Sequence, residues 1–192
     1  NKKSDDPYAL MGLGTINARE GNSEEALRFF KKFIGISERP IIALTSAANI
    51  YRKQRQYEKA MDYYEKVLEI DPRNIYDWHG KADCFRGLRQ YHSAIVAWEM
   101  ALKQGIDPRI VMTRIGDAYL SLGNFEQAEV NYRKALAFGY DKYAYLGLAR
   151  IHTETNHMDE ALKIFTMLLE KEPNDARVTA EVKEFAGRYP AC

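Results

Sequence analysis

Three polar residues stand about one helical turn apart near the middle of the sequence. His79, Asp83 and Arg86 would share one face of a helix, because residues three and four apart are neighbours there. An imidazole beside a carboxylate could exchange protons with a substrate or bind a metal ion. No nucleophile, glycine-rich loop or third metal ligand accompanies them, so we interpret them as a polar binding surface. The sequence therefore predicts no enzyme activity, no bound metal and no cofactor.

The other reactive side chains are three histidines and two cysteines. His152 stands where other segments of the chain have an aromatic residue, so we expect it to pack in the core. His92 and His157 fall in predicted turns, and their spacing matches no paired-ligand motif. Cys84 replaces small or branched apolar residues and is predicted to be buried and unreactive, whereas Cys192 ends the chain. Two such cysteines indicate no compartment, which stays open between the cytoplasm and a bacterial periplasm or envelope.

The composition is that of a soluble globular protein that neither binds nucleic acid nor inserts into a membrane. Of 192 residues, 46% are hydrophobic and 29% are charged, and the net charge of +1 gives no general attraction for phosphate backbones. The longest uncharged stretch, residues 40–51, has 12 residues, whereas a membrane-spanning helix needs about 20 apolar ones. Because the sequence starts at Asn1 rather than Met, it is compatible with a piece of a longer chain.

An internal repeat of about 34 residues must position these side chains. Five alanines open apolar stretches at separations of 34, 34, 34 and 33 residues; an aromatic residue follows each alanine by four positions, and a glycine or alanine precedes it by twelve. The alanines are Ala26, Ala60, Ala94, Ala128 and Ala161; the aromatic residues are Phe30, Tyr64, Trp98, Tyr132 and Phe165; the small residues are Gly14, Ala48, Ala82, Gly116 and Ala149. A fixed period of this length is typical of repeat proteins.

Apolar residues at three- and four-residue spacing predict two helices in each repeat. Gly21-Asn22 and Gly123-Asn124 are predicted to end one helix and cap the next. The predicted helices are residues 7–20, 23–37, 40–54, 57–70, 74–87, 91–104, 108–122, 125–138, 142–155, 158–171 and 175–188. The last is predicted to cover the fifth hairpin with Ala176, Val178, Val182, Phe185 and Ala186, and to expose Arg177, Glu181, Lys183, Glu184 and Arg188 to water.

This arrangement resembles the tetratricopeptide repeat, whose pattern is W-x2-L-G-x2-Y, then A-x3-F, then P. The best copy contains Trp78, Ala82, Phe85, Ala94 and Trp98. The resemblance covers about residues 7–174 and implies an all-α fold, an α-solenoid in which antiparallel helix hairpins stack into a right-handed superhelix. We expect one array over residues 1–192, with repeats at about 7–40, 41–74, 75–108, 109–141 and 142–174 and a capping helix at 175–188.

In this family the first helix of each repeat lines a concave groove, so the resemblance implies a peptide-binding groove. The implied groove residues are Tyr8, Thr45, Asn49, Arg52, Tyr76, His79, Asp83, Arg86, Thr113, Arg114, Asp117, Tyr143, Leu146 and Arg150. With Arg19, Lys53 and Glu154, which also point inward in the family, six basic residues face three acidic ones on this wall, which predicts an acidic or carboxylate-bearing peptide. Tyr8, Tyr76 and Tyr143 stand at the second position of their repeats. An equally supported alternative is that these tyrosines only pack between adjacent first helices.

Some members of the family clamp the C-terminal carboxylates of chaperones with five polar residues. The corresponding residues here are Thr45, Asn49, Gly80, Ile110 and Arg114, of which two match, so we expect a different ligand. The sequence thus predicts a non-enzymatic scaffold that binds a peptide or protein segment in the groove. Two alternatives stay open: self-association into a homo-oligomer through the exposed N-terminal hairpin or a convex helix, and an accessory domain of a larger enzyme or envelope complex.

Overall fold

The computed structural model describes residues 6–189, and in this range the chain forms eleven helices and no strand. They are α1 (Pro7–Glu20), α2 (Ser23–Ile36), α3 (Ile41–Lys53), α4 (Tyr57–Ile70), α5 (Ile75–Gly87), α6 (Tyr91–Lys103), α7 (Pro108–Ser121), α8 (Phe125–Leu136), α9 (Lys142–Glu154), α10 (Met158–Lys171) and α11 (Ala176–Arg188). Every predicted helix is confirmed to within two residues at each end. Cys192 lies outside the described residues.

The helices form two compact units that divide after Ile106. In the first unit, α1 packs on α2, α3 on α4 and α5 on α6, and the pairs meet through α2 with α3 and α4 with α5. In the second unit, α7 packs on α8 and α9 on α10, and α11 contacts both α9 and α10. Short connections between contacting helices make each pair an antiparallel hairpin. The single array expected from the repeat stays a prediction.

Each hairpin turns through one residue in the left-handed region. The predicted helix ends at Gly21 (φ 86°) and Gly123 (φ 72°) are confirmed, whereas Arg55, Arg89 and Asn156 take this role in the other hairpins at φ between 59° and 61°. The predicted cap at Asn124 is confirmed, because its Oδ1 accepts from the Gln127 amide at 3.1 Å. The predicted cap at Asn22 is wrong: its side-chain amide nitrogen points back towards α1.

The repeat signature forms the core of every hairpin. All five signature alanines are 0% exposed, and the aromatic residues that follow them are at most 3% exposed. The small residue of the first helix lets the aromatic ring of the second helix approach closely: a Cβ on Gly14 would lie 2.6 Å from Phe30 Cε1. The spacing in the sequence therefore marks true packing contacts.

Both tryptophans of the chain lie in the first unit. Trp98 occupies the aromatic signature position and is 0% exposed. Trp78 is half-buried, and its Nε1–H donates to the Pro72 carbonyl at 2.9 Å. One tryptophan is thus a core residue and the other lies at the start of a first helix.

We expect Ala94→Leu to lower the thermal midpoint, because three additional carbon atoms at a fully buried contact force neighbouring side chains out of place, at a cost of about 1 to 3 kcal/mol. Ala128→Leu should act similarly in the second unit. Ala18→Leu, at an exposed position of α1, is the matched control and should change stability little. Melting followed by circular dichroism tests this, and a midpoint for Ala94→Leu equal to that of the wild type would contradict the packing described.

Helix α11 covers the last hairpin, but with a narrower face than predicted. Val178 and Phe185 are buried and Val182 is half-buried, as predicted, and the Phe185 ring lies 5.0 Å from that of Phe165. Ala176 and Ala186 are exposed, so their predicted contribution to this cover is wrong.

Candidate functional site

In the first unit, the side chain at the second position of each repeat is open to solvent. Tyr8 is 89% exposed, and Ile42 and Tyr76 are each 70% exposed. For Tyr8 and Tyr76, these values exclude the alternative in which the rings pack between adjacent first helices. The three second-position residues therefore offer two rings and one aliphatic side chain to a ligand.

Thr45, an implied groove residue, is bonded to a carboxylate between two first helices. Its hydroxyl donates to Asp77 Oδ1 at 2.9 Å and lies 3.1 Å from Oδ2, which links α3 to α5. Asp77 is 0% exposed, and desolvation raises the pKa of its carboxyl to about 6, against the opposing effect of the Thr45 hydrogen bond. Sequence reasoning missed Asp77, although an acidic residue where other repeats have Ala43 or Val111 was a usable signal.

Three implied groove residues of the first unit form one hydrogen-bonded network, which a fourth joins through an ion pair. Arg52 lies 3.0 Å from Asp83 Oδ2, 3.3 Å from Asn49 Oδ1 and 3.1 Å from the Tyr64 hydroxyl. Tyr64 donates to Asn49 Oδ1 at 2.8 Å, and Arg86 lies 3.7 Å from Asp83 Oδ1. The charge of Arg52 is thus largely compensated, whereas Arg86, with 45% of its side chain exposed, still faces solvent.

The carboxylate of the pair first considered for chemistry belongs to this network. His79 is half-buried, and the Asp83 carboxylate is engaged by the two arginines. Within residues 6–189, no three side chains of histidine, cysteine, aspartate or glutamate meet as a metal site requires. Asp83 is 7% exposed and offers little surface to a ligand, so the polar binding surface expected at these residues stays a prediction.

Among the remaining reactive residues that the structure describes, the prediction for Cys84 is confirmed and those for the histidines are confirmed in part. Cys84 is buried, and desolvation raises the pKa of its thiol to about 12, which keeps it protonated. His92 and His157 are both exposed; His157 lies in the turn before α10, as predicted, whereas His92 is the second residue of α6, so its predicted place in a turn is wrong. His152 is only half-buried, and its ring lies 6.1 Å from that of His157, so it belongs to the edge of the core.

In the second unit, several implied groove residues are buried by contacts with other helices. Thr113 is 9% exposed and its hydroxyl donates to Asp141 Oδ2 at 2.6 Å, which joins α7 to the start of α9. Asp117 Oδ1 accepts from the Tyr132 hydroxyl at 2.7 Å. Leu146 is 1% exposed and packs in the core, so we leave it out of the proposed binding surface.

Ile110 and Tyr143 hold the second position in the second unit and are 46% and 48% exposed. The Arg177 guanidinium lies 5.5 Å from the Tyr143 ring centroid, and the Lys142 ammonium also lies 5.5 Å from it. Arg114 is half-buried, with Nε 3.3 Å from the Ile110 carbonyl. Tyr143 is therefore accessible but partly engaged by cations.

Two ion pairs join α9 to α11. Arg150 Nε donates to Glu181 Oε2 at 2.9 Å and its Nη2 also bonds this carboxylate; Lys142 Nζ lies 2.5 Å from Asp175 Oδ2. The prediction that Glu181 faces water is wrong, since 17% of its side chain is exposed. Arg52 and Asp83 stand at the same separation of 31 residues, and this repeated spacing could have revealed the pairing.

Helices α7, α9 and α11, with Phe125 and Phe165 beneath, form a cleft of about 570 Å³. Its floor is apolar and its rim is ionic. The floor consists of Leu120, Phe125, Phe165 and Phe185, the rim of Arg150, Glu154, Glu181, Glu184 and Arg188, and Ser121, Gly123 and Thr153 complete the lining. Of these twelve residues, sequence reasoning placed only Arg150 and Glu154 in the groove, because it treated α11 as a cap and not as a wall.

The rim carries three carboxylates and two guanidinium groups. Arg188 lies 2.6 Å from Glu184 Oε1 and 3.8 Å from Glu154 Oε1, and more than half of each of these three side chains is exposed. With Arg150 held by Glu181, the rim has a formal charge of −1. This sign is opposite to the one expected for the whole groove wall.

No helix among residues 6–189 combines the length and apolarity that a bilayer crossing requires.

Comparisons with known proteins agree with this architecture. Two profiles of the tetratricopeptide repeat match residues 41–74 and 119–180, together half of the chain. A search of curated proteins gave no significant match. A tetratricopeptide repeat protein from Parabacteroides merdae superposes with a TM-score of 0.86 at 20% identity, covering 94% of this chain and 72% of that one.

Two further structures show the same fold. A MamA fragment from Desulfovibrio magneticus has a TM-score of 0.82 at 19% identity and covers 88% of this chain and 97% of that one. The pilF protein of Pseudomonas aeruginosa has a TM-score of 0.75 at 19% identity and covers 96% of this chain and 84% of that one. With the profile matches and the hairpin packing described above, the chain belongs to the tetratricopeptide repeat family.

Proposed function

We propose that the protein is a non-enzymatic scaffold that binds a peptide or protein segment in the cleft between α7, α9 and α11. The observation that carries this proposal is the combination of an aromatic floor with a polar rim in one concave site. A volume of about 570 Å³ is in the range of sites that enclose a few side chains. Concave surfaces of this kind are the usual binding surfaces of helical repeat proteins.

The chemistry of the cleft defines the class of segment that it fits. Leu120 and Phe125 are half-buried and can contact an aliphatic or aromatic anchor that is removed from water on binding. Glu154 and Glu184 are exposed on the rim and can pair with a lysine or arginine next to the anchor. The cleft therefore favours a segment that combines an apolar anchor with a basic side chain, in place of the acidic peptide expected from the sequence.

The first unit offers a second contact surface, which carries a positive charge where the cleft rim is negative. Tyr76 and Ile42 expose apolar area, and the half-exposed Arg86 carries a charge about 15 Å further along α5 from Tyr76. Rings hold a bound segment by excluding water, whereas an exposed charge mainly accelerates its association. We assign this surface a supporting role, because none of these residues lines the cleft between α7, α9 and α11.

Selection from a displayed library of random peptides, with the whole chain as bait, tests the proposal. We expect enrichment of sequences in which a leucine or an aromatic residue stands near a lysine or arginine. A labelled peptide from the selection, followed by fluorescence anisotropy, should bind Ser121→Trp at least about 10-fold more weakly, because the indole would occupy the cleft from an exposed position.

Two matched variants control this measurement. Ser93→Trp adds the same indole to an exposed position of α6, and Glu69→Lys reverses an exposed charge on α4; both should bind as the wild type does. Glu154→Lys combined with Glu184→Lys should weaken binding by about 3- to 10-fold and reduce its salt dependence. Absence of any enrichment, or unchanged binding to Ser121→Trp, would show that the cleft is not the binding site.

A further inference from the structure

Helix α1 exposes an apolar stripe whose equivalents are covered in later first helices. Ala9, Gly12, Leu13 and Ile16 follow one another at three- and four-residue spacing, and all are exposed, Leu13 at 43% and Ile16 at 53%. Residues at the position of Ile16 in α3, α5 and α9 are Ile50, Cys84 and Ile151, and none is more than 8% exposed. The stripe therefore has the character of a helix-packing surface, and no helix among residues 6–189 covers it.

Glycines at the repeat position of Gly12 have a packing role in two later first helices. In α5, a Cβ on Gly80 would lie 2.4 Å from Tyr64 Cζ, and in α9 a Cβ on Gly147 would lie 2.2 Å from Tyr132 Cζ. Both glycines thus admit a ring from the preceding second helix. A Cβ on Gly12, at the same repeat position, would have no neighbour within 4 Å, so α1 presents this close-approach site open.

The described residues offer no second-helix aromatic that could fill this site from another copy. The aromatic residues at the signature position of the five second helices are at most 3% exposed. The last of them, Phe165, is covered by Phe185 of α11. A head-to-tail contact that repeats the internal packing is therefore excluded for this part of the chain. The remaining contact between two copies is stripe against stripe.

The stripe is complementary to itself when two helices run antiparallel. Pairing residues whose numbers sum to 25 sets Gly12 against Leu13 and Ala9 against Ile16, so each small residue faces a large one. The same register sets Asp6 against Arg19, opposite charges that are both exposed at the ends of the stripe. We propose that α1 pairs with α1 of a second copy in this antiparallel register.

One pair of helices buries less surface than a standard protein interface, so the dimer is expected to be weak. Sedimentation equilibrium of the 192-residue chain should therefore show a mass that rises from 22.1 kDa towards twice that value between about 10 μM and about 1 mM. Ile16→Glu should remain monomeric at the highest concentration, because a carboxylate would replace an apolar contact on each side of the twofold axis. Val96→Glu, at an apolar position of α6 with 59% exposure, is the matched control and should dimerise as the wild type does.

Two further variants test the register. Arg19→Asp should weaken dimerisation by about 3- to 10-fold, and Asp6→Ser, which keeps a capping oxygen, should restore part of this loss in the double variant. With Cys192 replaced by serine, Gly12→Cys should form a disulfide-linked dimer under mild oxidation, whereas Gly35→Cys, another exposed helical glycine, should not.

A wild-type mass that stays at 22.1 kDa up to about 1 mM, or a dimer that survives Ile16→Glu, would overturn the proposal. Binding of an added peptide with the sequence of α4, residues 57–70, to the monomeric chain and its loss in Ile16→Glu would instead assign the stripe to an aromatic-bearing helix of another protein. None of these results depends on the cleft, so the proposed function is tested separately.

Discussion

Gly147→Ala is expected to destabilise the protein by about 1 to 3 kcal/mol or more, although alanine is the better helix former. The new Cβ would lie 2.2 Å from Tyr132 Cζ, closer than nonbonded atoms approach. The Tyr132 ring cannot move away, because Gly116 contacts its other edge and its hydroxyl is bonded to Asp117 at 2.7 Å. The methyl group must therefore push α9 away from α8.

Urea denaturation followed by circular dichroism measures this effect. Gly35→Ala is the matched control: the glycine is helical and exposed with no neighbour within 4 Å of its Cβ, so alanine there should stabilise by up to about 1 kcal/mol. Shortening the ring with Tyr132→Leu should make Gly147→Ala less costly, a coupling that a double-mutant cycle detects. Equal stability changes for the alanine variants at positions 147 and 35 would contradict the clamped ring.

Asp77→Asn is expected to stabilise the protein at pH 7.5 and to leave it nearly unchanged near pH 4. The folded state raises the pKa of the Asp77 carboxyl from 3.8 to about 6, chiefly through desolvation. Between these values the folded state binds more protons than the unfolded state, so stability from this group falls as the pH rises from about 4 to about 6. The full difference corresponds to roughly 3 kcal/mol, less the favourable interaction of a carboxylate with the start of α5.

The amide that Asp77→Asn introduces would keep an oxygen that accepts from the Thr45 hydroxyl, so the substitution removes charge with little change of shape. Unfolding free energies of wild type and variant at several pH values between about 4 and about 8 give the comparison. Asp62→Asn, at an exposed position of α4, should change stability little across this range. Parallel pH profiles for the wild type and Asp77→Asn would contradict the assignment of this carboxyl.

The sequence predicts the helices and hairpin cores well because both depend on short-range patterns. A small residue twelve positions before an alanine, and an aromatic residue four after it, leave few ways to pack two helices, and Gly116, Ala128 and Tyr132 all behave accordingly. The turns were harder. Arg55 and Arg89 adopt the left-handed conformation without any residue-type signal, because tertiary packing of the hairpin outweighs a local cost of about 1 kcal/mol or more.

The candidate site was predicted less well because it depends on contacts between successive first helices. The pairing of Arg150 with Glu181 requires the rotation of α11 about its axis, which the periodicity of a single helix does not determine. The same holds for the hydrogen bond from Thr45 on α3 to Asp77 on α5. It also holds for the bond from Thr113 on α7 to Asp141 at the start of α9. Several polar residues were assigned to ligand binding from their position in the repeat. In the structure, their side chains instead bond to a neighbouring helix and hold the two helices together.

The placement of both tryptophans in the first unit has a spectroscopic consequence. Trp98 and Trp78 are the only indoles in the chain, and the residues from Asp107 onward contain none. Intrinsic tryptophan emission therefore reports on the first unit alone, with the fully buried Trp98 as its blue-shifted component. Far-ultraviolet ellipticity, in contrast, counts helices from both units. Unfolding curves recorded by the two signals on one sample thus distinguish loss of α1–α6 from loss of α7–α11 without any engineered label.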